Sequence, residues 1–136
     1  MKLRIAVLVF ALIIISIGDV YGADWKIHSS DDAGQHYYDA QGITRPSKNI
    51  VRVWKRWNFT EKGVMDVVGN LGPRYKNLRY SMTLCEINCI EKRMHILSLT
   101  YYDNKGDMIF SGSSPREWNF IVPETMGESL YKEVCK

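Results

Sequence analysis

The chain has 136 residues, with 18 lysine and arginine residues against 15 aspartate and glutamate residues, and so a net charge of +3. Hydrophobic residues make up 46% of the chain and charged residues 24%, which excludes a disordered, collagen-like or coiled-coil protein. The length favours one domain.

The N-terminus has the pattern of a cleavable secretory signal. Lys2 and Arg4 precede residues 5–17, an almost entirely apolar run that is shorter than the ~20 residues of a membrane-spanning helix. Small or tolerated residues then precede a cut between Gly22 and Ala23. We therefore predict a signal peptide at residues 1–22, with no cysteine for lipid attachment at the cut. The alternative is an uncleaved N-terminal anchor.

Cleavage would leave residues 23–136 as a single domain with 16 basic and 14 acidic residues, a net charge of +2. Nucleic-acid-binding domains usually have a pI above ~9 and a concentrated basic face, so nucleic acid is not expected as a partner. The predicted location is the periplasm, the cell surface or the medium, with no transmembrane helix after cleavage.

Short β-like runs fill the first part of this domain. Residues 25–27 and 35–39 predict a hairpin, and Pro46 marks a loop at residues 45–47. Residues 50–59 are the clearest strand. Alternation places its side chains on two faces, Val51, Val53, Lys55, Trp57 and Phe59 on one and Ile50, Arg52, Trp54, Arg56 and Asn58 on the other. A helix over residues 61–68 follows, capped by Thr60, although Gly63 disfavours it by ~1 kcal/mol relative to alanine.

The second part predicts strands at residues 80–89, 94–102 and 108–110, with a turn at 90–93 and a loop at 111–115. A C-terminal helix with Pro123 in its first turn presents an apolar stripe that includes Leu130 and Val134. The expected fold class is α+β. One antiparallel, meander-like sheet of about six strands carries the C-terminal helix, with a short helix after the third strand.

The three cysteines predict one disulfide. Cys85 and Cys89 lie four residues apart in a predicted strand, where a rise of ~3.3 Å per residue separates them by roughly 13 Å. A disulfide needs Cα atoms within about 7 Å, so Cys135 is expected to pair with one of these two. The remaining thiol would be buried or available to a second chain.

Motifs for catalysis, metal or cofactor binding are missing from the sequence. His28, His36 and His95 are scattered without the spacing of a zinc hydrolase, and neither C-x-x-C nor a glycine-rich nucleotide loop occurs. We therefore predict a non-enzymatic protein without a cofactor or a metal. The alternative is a periplasmic enzyme or redox protein that uses the free cysteine, with Cys85 beside His95 or His36.

Basic and aromatic residues are concentrated between residues 45 and 57. Arg52, Trp54 and Arg56 share one face of the predicted strand, and arginine and tryptophan are favoured anchors at protein interfaces. These three residues are the candidate ligand-binding site. The alternative is that Trp54 covers the core with the arginine stems packed beside it.

Several elements, taken in order and spacing, resemble the surface-adhesin protein E family of exported bacterial proteins. They are Trp25, Tyr37-Tyr38-Asp39, Val51-Arg52-Val53-Trp54, Glu86-Ile87-Asn88-Cys89, Tyr101-Tyr102-Asp103 with Gly106, Trp118, Ile121-Val122-Pro123 and Leu130-Tyr131-Lys132-Glu133-Val134-Cys135. The resemblance implies an antiparallel sheet with a C-terminal helix, tied by a Cys89–Cys135 disulfide. It also implies an adhesin-like function towards an extracellular or envelope protein, and the ability to form a homodimer.

Overall fold

The computed structural model of the protein describes residues 22–113 and 117–136. Apart from Gly22, the predicted signal peptide at residues 1–22 lies outside the described residues. So do Ser114 and Pro115 of the predicted loop. No helix of the described part combines the length and the apolar composition that crossing a membrane requires.

Eight strands and two α-helices form the described part, an α+β fold as predicted. The strands are β1 (Trp25–Asp31), β2 (Gly34–Asp39), β3 (Thr44–Ser47), β4 (Ile50–Phe59), β5 (Leu78–Asn88), β6 (Arg93–Asp103), β7 (Met108–Gly112) and β8 (Asn119–Phe120). The helices are α1 (Glu61–Leu71), followed by a 3₁₀ turn (Pro73–Tyr75), and α2 (Met126–Val134).

Six of the strands run antiparallel in the order β1-β2-β4-β5-β6-β7, which is the predicted meander. The structure adds two short strands that were not predicted. Strand β3 pairs with β4 beside β2, and β8 pairs with β6 beside β7. The predicted loop at residues 45–47 is wrong, since Pro46 lies within β3. An edge strand tolerates the missing N–H of proline because that side needs no ladder hydrogen bond.

Alternation along β4 separates two faces of the sheet, as predicted. Val51 and Val53 are fully buried on the face that carries both helices, here called the core face. Cys85 and Ile87 of β5 lie opposite them in register and are also fully buried. Trp54 points to the other side, the outer face, and is 37% exposed.

Helix α2 covers one half of the core face. Leu130 and Val134 pack against the buried residues of β4 and β5. The helix begins at Met126 rather than near Pro123, because Glu124 adopts a left-handed φ of 61° and Thr125 provides the N-cap. A disulfide between Cys89 and Cys135, with Cα atoms 5.6 Å apart, ties the end of α2 to the end of β5 and confirms the predicted pairing.

Helix α1 covers the other half of the core face. Val67 packs with Phe59, Tyr75 and Leu78 in a second buried cluster. Thr60 caps the helix as predicted, its Oγ1 accepting from the N–H of Gly63 at 3.2 Å. The helix continues to Leu71, past the predicted end at residue 68, and ends where Gly72 takes a φ of 109°.

Gly63 has low helix propensity, but its lack of a side chain is required for packing. A Cβ at this position would collide with the carbonyl oxygen of Ala33 in the β1–β2 turn. The same turn is held to α1 by the N–H of Thr60, which donates to the Ala33 carbonyl at 3.0 Å. Glycine thus allows the backbone of the helix to approach the hairpin.

We expect Gly63→Ala to lower the free energy of unfolding by about 1–3 kcal/mol, because the backbone clash outweighs the ~1 kcal/mol gained in helix propensity. Gly69→Ala is the matched control in the same helix, since its Cβ would meet nothing within 4 Å. It should raise the free energy by roughly 0.5–1 kcal/mol. Urea denaturation of both variants tests this, and stabilisation by both substitutions would contradict it.

Candidate ligand-binding face

The three predicted site residues lie together on the outer face. Arg52, Trp54 and Arg56 follow one another at every second position of β4, and their partners in register on β5 are Glu86, Leu84 and Met82. Both buried clusters, with the helix residues that belong to them, lie on the opposite face of the sheet. The indole of Trp54 is therefore open to solvent between two arginines.

At one end of this row, Arg52 takes part in a hydrogen-bonded chain that crosses three strands. Its guanidinium donates to Glu86 through Nε at 3.0 Å and approaches the same carboxylate through Nη2 at 2.9 Å. The other carboxylate oxygen lies 2.8 Å from Nε2 of His95 on β6. Burial alone would raise the pKa of Glu86, but these hydrogen bonds from His95 and Arg52 outweigh it and hold the pKa below its usual range. The carboxylate is thus ionised at neutral pH and fixes the orientation of Arg52.

At the other end, Arg56 is held over an aromatic stack. Its guanidinium carbon lies 4.2 Å from the ring centre of Tyr80, and its Nε donates to Asn58 at 2.7 Å. The rings of Tyr80 and Tyr102 stack across β5 and β6 with centres 4.8 Å apart. An aromatic ring under a guanidinium group orders the arginine side chain without neutralising its charge. A side chain that is already ordered loses less conformational entropy when a partner binds.

Sequence reasoning missed a second aromatic group, which is contributed by the segment around β8. Trp118 stacks on His95 with ring centres 3.8 Å apart, and Phe120 lies under Arg93, 4.2 Å from the guanidinium carbon to the ring centre. Phe120 is 69% exposed. One sequence signal could have found this group. Residues two apart in a strand share a face, and the group consists of two such pairs, Trp118 with Phe120 and Arg93 with His95.

The free thiol of Cys85 lies in the core. Cys85 is fully buried, its Sγ is 3.7 Å from the Val53 carbonyl, and burial raises the pKa of the thiol to about 11. A thiol in this environment is protonated at neutral pH and is a poor nucleophile. His95 lies on the outer face, on the other side of the sheet, so these two residues do not form a nucleophile and base pair. Among residues 22–113 and 117–136 there is no group of three potential metal ligands.

A family model described as surface-adhesin protein E matches residues 25–136 of this chain. The chain belongs to the surface-adhesin protein E family. The resemblance seen in the sequence is thereby confirmed, and family membership implies an exported, adhesin-like protein of the cell surface.

Solved protein E structures share the fold. The structure of Haemophilus influenzae protein E is 15% identical to this chain, covers 86% of each chain and has a TM-score of 0.53. The crystal structure of protein E from non-typeable Haemophilus influenzae is 13% identical, covers 87% of this chain and 79% of its own, and has a TM-score of 0.54. At these identities the likeness extends to the fold alone. No curated protein matches this chain.

Proposed function

We propose that this member of the surface-adhesin protein E family is a non-enzymatic module that binds an acidic segment of an extracellular or envelope protein on its outer face. One observation carries the proposal. Trp54 stands exposed between Arg52 and Arg56 on the face of the sheet opposite both core clusters. Tryptophan and arginine are the residues most enriched among the energetic anchors of protein interfaces.

The charges of this face favour an acidic partner. The carboxylate of Glu86 is already paired with Arg52. Arg56 and Arg93 lie over aromatic rings, and neither has a carboxylate partner among the described residues. An approaching acidic segment would therefore find two guanidinium groups without a carboxylate partner on the outer face, Arg56 beside Trp54 on β4 and Arg93 on β6. Rim charges of this kind act mainly on the association rate and its salt dependence.

We expect Trp54→Ala to weaken binding of a glutamate-rich peptide or of a captured matrix protein by about 30-fold or more, since a central tryptophan anchor contributes ~2 kcal/mol or more. The free energy of unfolding should change by less than about 1 kcal/mol, because the indole is outside the core. Surface plasmon resonance at two salt concentrations, with denaturation of the same variant, measures both quantities.

Met65→Ala is the matched control, because Met65 is 66% exposed on α1, away from the outer face. It should leave binding unchanged. A Trp54→Ala variant that binds as tightly as the unchanged protein would contradict the proposal, and so would one that loses 3 kcal/mol or more of stability. A second copy of the chain is the competing occupant of this face. It would show as a dimer by analytical ultracentrifugation that Trp54→Ala dissociates.

We further propose that export removes residues 1–22, so that the mature chain begins at Ala23 in the periplasm or at the cell surface. Family membership supports export, and the apolar run and the small or tolerated residues before Ala23 support the position of the cut. Intact-mass measurement of the exported protein tests this proposal. A mass that includes Met1 would contradict it.

A further inference from the structure

The core face contains a cavity between the parts covered by the two helices. Its volume is about 280 Å³. The floor comes from strands β4, β5 and β6, and Met126 at the start of α2 forms part of the wall. The cavity lies on the opposite side of the sheet from Trp54. Of the outer-face residues only Arg56 borders it, and the guanidinium of Arg56 lies over Tyr80 on the outer face. Binding in this cavity is therefore independent of the function proposed for the outer face.

Polar side chains occupy the middle of the core face at this cavity. Along β4 the core-face row is apolar or aromatic except at Lys55, and in register on β5 Lys55 lies opposite Thr83. Ser81 is the next core-face residue along β5 and lines the same cavity. A lysine and two hydroxyl residues at positions that a packed core would fill with apolar side chains indicate a site rather than a packing surface.

Lys55 brings a cation to this cavity without a counter-charge. No carboxylate among the described residues pairs with its ammonium group. Its charge lowers the pKa of His28, His36 and Cys85. At the two histidines this adds to the lowering by burial, and at Cys85 it opposes the rise that burial causes. A half-buried cation surrounded by neutral groups is stabilised when an anion binds beside it.

His36 adds a buried polar group with no partner. It lines the cavity at 3% exposure and stacks on Trp57 with ring centres 4.7 Å apart. Its Nε2 has no hydrogen-bond partner among the described residues, and the nearest carboxylate oxygen, on Asp31, is 3.9 Å away. The indole Nε1 of Trp57 is likewise buried without a partner. Buried polar groups are nearly always hydrogen-bonded, so unpaired ones call for a ligand or water.

We infer that this cavity binds a small monocarboxylate with a short apolar tail, its carboxylate beside Lys55 and its tail against Ile96 and Leu99. One cation and several neutral donors match a single negative charge. Arg56 also borders the cavity, but its guanidinium lies on the outer face over Tyr80 and donates to Asn58. A phosphate dianion would need a second cation inside the cavity beside Lys55. The apolar side chains of β6 and Met126 would remove the tail from water.

Hexanoate is the probe that tests this inference, followed by isothermal titration calorimetry and by NMR shifts of backbone amides. We expect saturable binding that shifts the amides of His36, Thr83 and Leu99 and leaves that of Trp54 unchanged. Hexan-1-ol and inorganic phosphate should each bind at least tenfold more weakly. Absence of saturable hexanoate binding would overturn the inference, as would binding of hexanol or phosphate as tight as that of hexanoate.

Lys55→Met keeps most of the length of the side chain and removes its charge, and it should weaken hexanoate binding by about tenfold or more. Lys105→Met, in the exposed β6–β7 turn, is the matched control and should bind hexanoate as the unchanged protein does. Leu99→Phe narrows the cavity without touching the cation and should also weaken binding. Thermal melting checks that each variant is folded. Equal affinity in folded Lys55→Met and Lys105→Met would overturn the inference, whatever happens at Trp54.

Discussion

Replacement of both Cys89 and Cys135 by serine is expected to lower the free energy of unfolding by about 4 kcal/mol. The disulfide spans 46 residues, and in the chain-entropy model a loop of this length restricts the unfolded chain by that amount. In the folded state the bond holds the end of α2, whose Leu130 and Val134 complete the buried cluster on β4 and β5. Without it, α2 would be held by the packing of Leu130, Val134 and Tyr131 and by its polar contacts.

Urea denaturation of the variant and of the unchanged protein with and without reductant measures this effect. The reduced protein should coincide with the serine variant, and Tm should fall by about 15 °C. Thiol labelling of the folded, oxidised protein should modify no cysteine, and labelling in denaturant should modify Cys85 alone. Peptide mapping that joins Cys85 to Cys135 would contradict the pairing, as would equal stability of the oxidised and reduced forms.

Acid is expected to destabilise the protein by about 3 kcal/mol between pH 7 and pH 4 through two histidines, the buried His36 and the half-buried His28. Burial, aided by the charge of Lys55, lowers the pKa of His28 and of His36 to about 4, from 6.5 for an ordinary histidine. Asp31 beside His36 and Glu133 near His28 act in the opposite direction without restoring the pKa. Each pKa unit corresponds to 1.36 kcal/mol. The expected loss of stability is smaller than the sum of the two histidine contributions, because the two imidazoles interact and one is partly solvated.

The sign follows from proton linkage. As pH falls from 6.5 towards 4, the unfolded chain takes up protons at these histidines before the folded chain does, so the stabilisation is complete above pH 6.5 and declines below it. NMR titration of the imidazole protons should show two midpoints near pH 4. In His36→Gln, the loss of stability between pH 7 and pH 4 should be about half as large. Midpoints near 6.5, or an unchanged slope in His36→Gln, would contradict the assignment.

The periodic elements of this protein follow from its sequence alone. Side chains in a strand alternate with a period of two, so the pattern of residues 50–59 puts Val51 and Val53 on one face and Trp54 on the other. The structure then shows that the valine face is the core and that Trp54 is exposed. Thr60 signals the start of α1 locally, because its hydroxyl serves a backbone N–H three residues away. The family resemblance added the Cys89–Cys135 pairing, which spacing alone had left open between two cysteines.

Only the tertiary structure decided the features that depend on distant parts of the chain. Strand β8 has two residues and exists because β6 offers it an edge, so no local period marks it. Arg52 meets its partner Glu86 across 34 residues, and Gly63 is required by Ala33 in a turn 30 residues earlier. The cavity at Lys55 arises because α1 and α2 cover separate halves of the core face. Such contacts depend on which segments pack together. A local pattern of residue types does not specify which distant residues will contact it in the folded protein.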